Sequence, residues 1–149
     1  MKPLSKTYKE LGIAFGFPIE IKNALGDHTY YENSRGYWCK WEYDANGKLT
    51  YSEDSDGFWC KRKHDSKGNQ TYFENSNGYW CKWEYDSKGN QTYSENSNGY
   101  WCKWEYDANG KLTYSEDSDG FRCKRKHDSK GNQTYSENSD GCERGTTAQ

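Results

Sequence analysis

Two segments bring thiol, cationic and imidazole side chains together: Cys60-Lys61-Arg62-Lys63-His64-Asp65 and Cys123-Lys124-Arg125-Lys126-His127-Asp128. Cysteine and histidine are zinc ligands, so Cys60 with His64, and Cys123 with His127, are first weighed as halves of a metal site. On a strand, residues four apart are separated by about 13 Å, too far to share one tetrahedral ion. Histidine is better read as replacing the tyrosine of the sister segments, and no metal or other cofactor is expected. Cys39, Cys60, Cys81, Cys102 and Cys123 form a regular series. In consecutive hairpins such residues lie two strands apart, about 9.6 Å, beyond the roughly 7 Å limit for a disulfide. They are expected to be reduced packing residues, with Cys142 in the irregular last unit the reactive one. Asp54-Ser55-Asp56-Gly57 and Asp117-Ser118-Asp119-Gly120 echo calcium loops but lack the alternating oxygen ligands and distal glutamate. Every carboxylate and histidine arrangement occurs in several copies, whereas an enzyme needs one desolvated constellation. The chain is expected to be non-catalytic.

What remains is binding chemistry. The basic sets Lys61-Arg62-Lys63 and Lys124-Arg125-Lys126 neighbour Trp38, Trp59, Trp80 and Trp101, expected on an outer face where tryptophan is costly without a partner. Trp41, Arg62, Trp83, Trp104 and Arg125 occupy one position that varies between units, while Tyr51, Tyr72, Tyr93 and Tyr114 do not vary. The constant set is assigned to architecture and the variable set to recognition, because interface hot spots favour Trp, Tyr and Arg. The candidate binding residues are therefore Trp38, Trp41, Trp59, Arg62, Lys63, Trp80, Trp83, Trp101, Trp104, Arg125 and Lys126. The competing reading makes Trp41 and Arg62 filler under a packed face, the arginines extending outward.

The elements that must hold these side chains follow from the glycines. They fall at 26, 36, 47, 57, 68, 78, 89, 99, 110, 120, 131 and 141, so the unit is 21 residues with two turns. Each closes an Asn/Asp-x-x-Gly tetrad suited to a type I turn with glycine at positive φ. Between turns lie segments rich in Tyr, Trp and Thr, which suit a pleated surface. Along the strand beginning at Tyr37, Tyr37, Cys39, Trp41 and Tyr43 share one face, and Trp38, Lys40 and Glu42 the other; the first is expected to be packed. An odd period would flip alternate units. Either the two turns differ by one residue or each unit carries a bulge, and the bulge is favoured. Residues 36–58 and 99–121 are identical, so whatever this stretch binds is offered twice.

Composition sets the limits. The 149 residues contain 7 Trp, 14 Tyr and 5 Phe, no valine, and a formal charge of −2. A core beyond residue 26 must be aromatic, and the charge argues against a global grip on nucleic acid. No apolar stretch approaches the roughly 18 residues of a membrane span. The N-terminus MKPLSKTYKELGIAFG lacks the pattern of a secretory signal, which predicts a cytoplasmic protein.

The fold expected is all-β: a single extended antiparallel β-meander, a hairpin-repeat solenoid, with a short N-terminal helical cap. Residues 1–25 form the cap, with a helix ending near Gly12 to Gly16 and a strand over Pro18 to Lys22; 26–142 are the array and 143–149 a disordered tail. The strand around Thr134 to Glu137 is expected to leave an unpaired edge, so monomer and homodimer both stay open.

WEYDANGKLTY and WEYDSKGNQTY resemble the tyrosine-aspartate repeats of the YD/RHS family, at Tyr43-Asp44, Gly47 and Thr50, and at Tyr85-Asp86 and Tyr106-Asp107. CKRKHD departs from them at His64 and His127. The spacing is also similar to MORN-type repeats, and the aromatic-glycine rhythm to bacterial cell-wall-binding repeats. The resemblance implies hairpin architecture. Large family members build shells around toxins, which this chain is expected to be too short to do, and small stand-alone arrays resemble phage and mobile-element proteins. The leading expectation is a protein-binding array of that origin, which binds and blocks a host defence protein. The alternative is a cell-wall or glycan-binding module, and the third is nucleic-acid-backbone binding through the basic sets.

Overall fold

A computed structural model describes residues 16–141 and 144–145. The helix expected before Gly16, the remainder of the tail and the Cys142 assignment lie outside the described residues. The chain divides into two compact units, ending and beginning at Tyr79 and Trp80. The first holds β1 (Ile19–Lys22), β2 (His28–Glu32), β3 (Trp38–Tyr43), β4 (Leu49–Asp54), β5 (Trp59–His64) and β6 (Gln70–Asn75). The second holds β7 (Trp80–Tyr85), β8 (Gln91–Asn96), β9 (Trp101–Tyr106), β10 (Leu112–Asp117), β11 (Arg122–His127), β12 (Gln133–Asn138) and β13 (Arg144–Gly145). Within each, every strand lies beside its sequence neighbours, an antiparallel meander. No helix occurs among the described residues, and β1 is the strand expected over Pro18 to Lys22.

All twelve turns are built alike. At Asp44, the Gly47 N–H donates to the Asp44 carbonyl at 3.0 Å and the Asp44 N–H to the Lys48 carbonyl at 2.9 Å. The Asp44 carboxylate accepts the N–H groups of Asn46 and Lys48 at 2.8 and 2.9 Å. At Asp54 the same pattern recurs with Asp56 and Phe58, at 2.9 and 3.1 Å.

Because the turns match, the odd residue must be absorbed in the strands. Glu42 pairs with Tyr51 and Tyr43 with Leu49, leaving Thr50 as a bulge. Thr29, Thr71, Thr92, Thr113 and Thr134 are skipped in the same way. The bulge leaves a strand carbonyl unmatched, and the threonine hydroxyl fills the vacancy: Thr50 donates to the Glu42 carbonyl at 3.1 Å and Thr113 to that of Glu105 at 3.1 Å. The other hairpin of each unit is regular, as in Tyr51 with Lys61, Ser52 with Cys60 and Glu53 with Trp59. One bulge per 21 residues keeps like residues on like faces.

Two expectations need correction. Tyr37, Cys39, Trp41 and Tyr43 do share a face, but it is not packed against another layer. Among the described residues only Cys60, Cys123 and Glu32 are buried. With so few aliphatic residues, the described residues form no second layer, and the sheet they build in each unit is one layer thick. The strand around Thr134 to Glu137 is not an unpaired edge: Tyr135 and Ser136 pair with Gly145 and Arg144, within the segment expected to be disordered. The turn closed by Gly141 directs the chain back along β12.

Candidate functional site

Cross-strand partners share a face, so register sorts the side chains of each unit into two surfaces. One, the cysteine face, carries Cys39, Trp41 and Tyr43 on β3, Ser52 on β4, Cys60, Arg62 and His64 on β5 and Phe73 on β6. In the second unit it carries Cys81 and Trp83, Cys102 and Trp104, and Cys123, Arg125 and His127. The other, the tyrosine face, carries the constant tyrosines and glutamates with Trp38, Trp59 and Lys63, or with Trp101 and Lys126. Trp80 occupies the same place on β7, opposite in parity to Cys81.

The predicted binding residues are thereby separated. Trp41, Arg62, Trp83, Trp104 and Arg125 lie on cysteine faces, while Trp38, Trp59, Lys63, Trp80, Trp101 and Lys126 lie on tyrosine faces. Strand alternation also divides each basic set. Lys61 and Lys63 are on one side of β5 and Arg62 on the other, and β11 repeats this with Lys124, Lys126 and Arg125.

The tyrosine face supplies its own partners. Lys61 Nζ lies 4.6 Å from the Trp59 ring centre, Lys82 4.7 Å from Trp80 and Lys103 4.9 Å from Trp101. Lys63 sits over Tyr72 at 5.6 Å and Lys126 over Tyr135 at 5.5 Å. Such cation–π pairs contribute roughly 0.5–1 kcal/mol each where exposed. Tyr30 donates to Glu32 at 2.7 Å, Tyr114 to Glu116 at 3.2 Å and Tyr135 to Glu137 at 2.9 Å. Sequence reasoning singled out Lys61, Lys63 and Lys126 as basic recognition residues and missed Lys82, Lys103 and the glutamates. The signal was present as Trp-Cys-Lys and Tyr-x-Glu, each an i, i+2 pair on one strand face.

The cysteine face is met differently. Arg62 Cζ lies 5.4 Å from the Phe73 ring centre, and His28 and Trp41 are tilted at 6.3 Å. Tyr43 and Tyr106 reach back to the carbonyls of His28 and Gln91 at 2.9 and 3.0 Å. The shorter imidazoles of His64 and His127 take the place of these phenols. Arg62 Nη1, His64 Nδ1, Arg125 Nη1 and His127 Nδ1 are all shielded from solvent without a hydrogen-bond partner. None of the described cysteines is in a disulfide.

Ionisation links this geometry to stability. Hydrogen bonds from Asn69, Asn90 and Asn132 side chains hold Asp65, Asp86 and Asp128 below the usual aspartate range, and the Lys111 backbone N–H does so for Asp107. A carboxyl depressed in the folded state stabilises it above the unfolded value, near 4, and that contribution is lost as pH falls through the folded value. Tyr30, Tyr51, Tyr72, Tyr93 and Tyr114 are raised, first by burial and then by their glutamates. Tyr37 is pushed up to about 12, chiefly by its hydrogen bond with Cys39. Raised phenols stabilise the fold below their unfolded value, near 10, and lose that contribution as pH rises through the folded value. Urea midpoints are expected to be flat from about pH 5 to 9 and to fall on both sides. An alkaline limb as flat as the plateau would show that the tyrosine ladder does not couple to folding.

No protein-family model and no curated protein matches the sequence. Among solved structures, 46 chains match. The crystal structure of TcdB2-TccC3-Cdc42 superposes with TM-score 0.58 at 14% identity, over 88% of this chain and 7% of that one. The crystal structure of TcdB2-TccC3-TEV gives 0.54 at 18% identity, over 69% and 5%. The Photorhabdus luminescens Tc holotoxin pore carrying TccC3-D651A gives 0.51 at 13% identity, over 81% and 9%. This chain spans less than a tenth of each of these chains, and at such identity the likeness is one of fold: an all-β, antiparallel hairpin-repeat meander.

Proposed function

We propose that this chain is a non-catalytic repeat array that binds a protein through its cysteine face. The observation that carries the reading is an asymmetry between the faces. On the tyrosine face, Trp59, Trp80 and Trp101 are each covered by a lysine of their own strand. Trp83 and Trp104 on the cysteine face have no cation over them among the described residues, and Arg125 and His127 on the same face have nitrogens without a hydrogen-bond partner. Half-exposed aromatics that share a face with unsatisfied polar groups suit an interface core. The YD/RHS resemblance and the hairpin-repeat fold support a scaffold role, and the small-array resemblance makes the partner a host defence protein that the array occupies and blocks.

Capture from bacterial lysate tests this with face-specific variants. Trp83→Ala with Trp104→Ala should abolish recovery of a stoichiometric protein, and Trp80→Ala with Trp101→Ala should not. The opposite pattern would overturn the assignment. One feature favours the glycan reading: a shallow trough on the tyrosine face between Tyr114 and Tyr135, flanked by Lys124, Lys126, Glu105 and Glu137. Retention on peptidoglycan that is lost in Tyr114→Ala with Tyr135→Ala would select it instead.

A further inference from the structure

We propose that Arg62 with His64, and Arg125 with His127, are two copies of a carboxylate-recognition site for aspartate or glutamate side chains of the protein partner. This rests on the cysteine-face reading and names the chemistry of what docks there. The two pairs come from CKRKH segments whose surroundings differ: Arg62 is paired across the sheet with Phe73, and Arg125 with Ser136. Even so, the same two nitrogens, arginine Nη1 and histidine Nδ1, are shielded and unpartnered in both. Recurrence in two contexts ties the arrangement to the strand geometry, with Arg and His at i and i+2 on one face, and not to a single side-chain conformation.

A shielded guanidinium nitrogen without an acceptor is unfavourable until an acceptor arrives. Among the described residues no carboxylate forms an ion pair with Arg62 or Arg125, although Arg122 has one in Glu116 at 3.1 Å. The acceptor therefore comes from outside the described residues. A carboxylate matches the fork of the guanidinium, and in a partly dehydrated aromatic setting the pair is stronger than in water. Reaching Nη1 requires a neighbouring side chain to turn aside, which a one-layer sheet permits. A nucleic-acid backbone fits less well. Such binding gains from several cations together, and the lysines of each basic set stand on the opposite face.

The test uses the full chain and fluorescein-labelled hexaglutamate followed by anisotropy, with hexaglutamine and a single-stranded oligonucleotide as comparisons. Hexaglutamate should bind, hexaglutamine should bind at least about tenfold more weakly, and R62Q/R125Q should lose about tenfold in hexaglutamate affinity while retaining its circular dichroism spectrum. Should R62Q/R125Q not fold, R62K/R125K keeps the charge without the fork and should still lose affinity severalfold. Failure of hexaglutamate to bind, equal binding by the arginine variants, or tighter binding of the oligonucleotide would overturn the site. The two proposals can fail separately. A captured partner lost with Trp83→Ala and Trp104→Ala but retained by R62Q/R125Q removes the carboxylate site and leaves the cysteine-face reading standing. A partner lost only through tyrosine-face substitutions removes both.

Discussion

Gly57→Val is expected to lower the unfolding free energy by about 1–3 kcal/mol. Gly57 has φ +85° and closes its turn by donating to the Asp54 carbonyl at 3.1 Å. A Cβ at this position would meet nothing within 4 Å, so crowding does not contribute and the whole cost is backbone strain. Valine resists that conformation more than any small polar residue does, because its branched Cβ clashes with its own carbonyl. Gly57→Asn is the control, since asparagine tolerates positive φ and should lose less. Urea unfolding measures both. A valine variant as stable as the asparagine variant would show that the turn can rearrange, which the matching geometry of twelve turns makes unexpected.

Deleting a single residue should have opposite consequences at two neighbouring positions of β10. Without Thr113, Leu112 and Tyr114 become adjacent on opposite faces, which is the alternation that a regular strand requires. Every pair beyond the bulge, including Ser115 with Trp104 and Glu116 with Lys103, can then persist. The loss is the hydroxyl bond to Glu105, about 1 kcal/mol. Without Ser115, Tyr114 and Glu116 become adjacent and can no longer share a face. Either Tyr114 turns to the cysteine face, losing its bond to Glu116 and its place opposite Lys124, or everything after it is inverted. Burial of the ring and its hydrogen bond together make this a loss of about 3 kcal/mol or more. Thermal unfolding of the two deletions separates the cases, and equal melting temperatures would show that the bulge is not where the odd residue is absorbed.

These expectations also divide the protein into what was local and what was not. The turns were legible in the sequence because their bonds lie within four residues: an Asn or Asp carbonyl oxygen or carboxylate accepts the N–H groups two and four positions on. The strands between them, and the sharing of a face by Cys39, Trp41 and Tyr43, followed from the period of two in an extended chain. So did the need for some device that absorbs one residue per unit, in a turn or a bulge, because 21 is odd.

The position of that bulge was not legible. Thr50 is skipped because Tyr51 stands opposite Glu42 while Leu49 stands opposite Tyr43, a fact about register between strands and not about threonine itself. Nor could spacing show that the described residues place no second layer on either face, since burial depends on whether such a layer exists. The candidate site depended on both. Lys61, Arg62 and Lys63 read as one basic cluster along the chain, but alternation places two of them over Trp59 and Tyr72 and leaves the third across the sheet beside Phe73. The sequence by itself determined the turns, the strands and the composition of each face. Only the tertiary structure decided which charged groups meet an aromatic ring across the sheet, as Lys63 meets Tyr72 and Arg62 meets Phe73, because those pairings join residues on different strands and exist only once register is set.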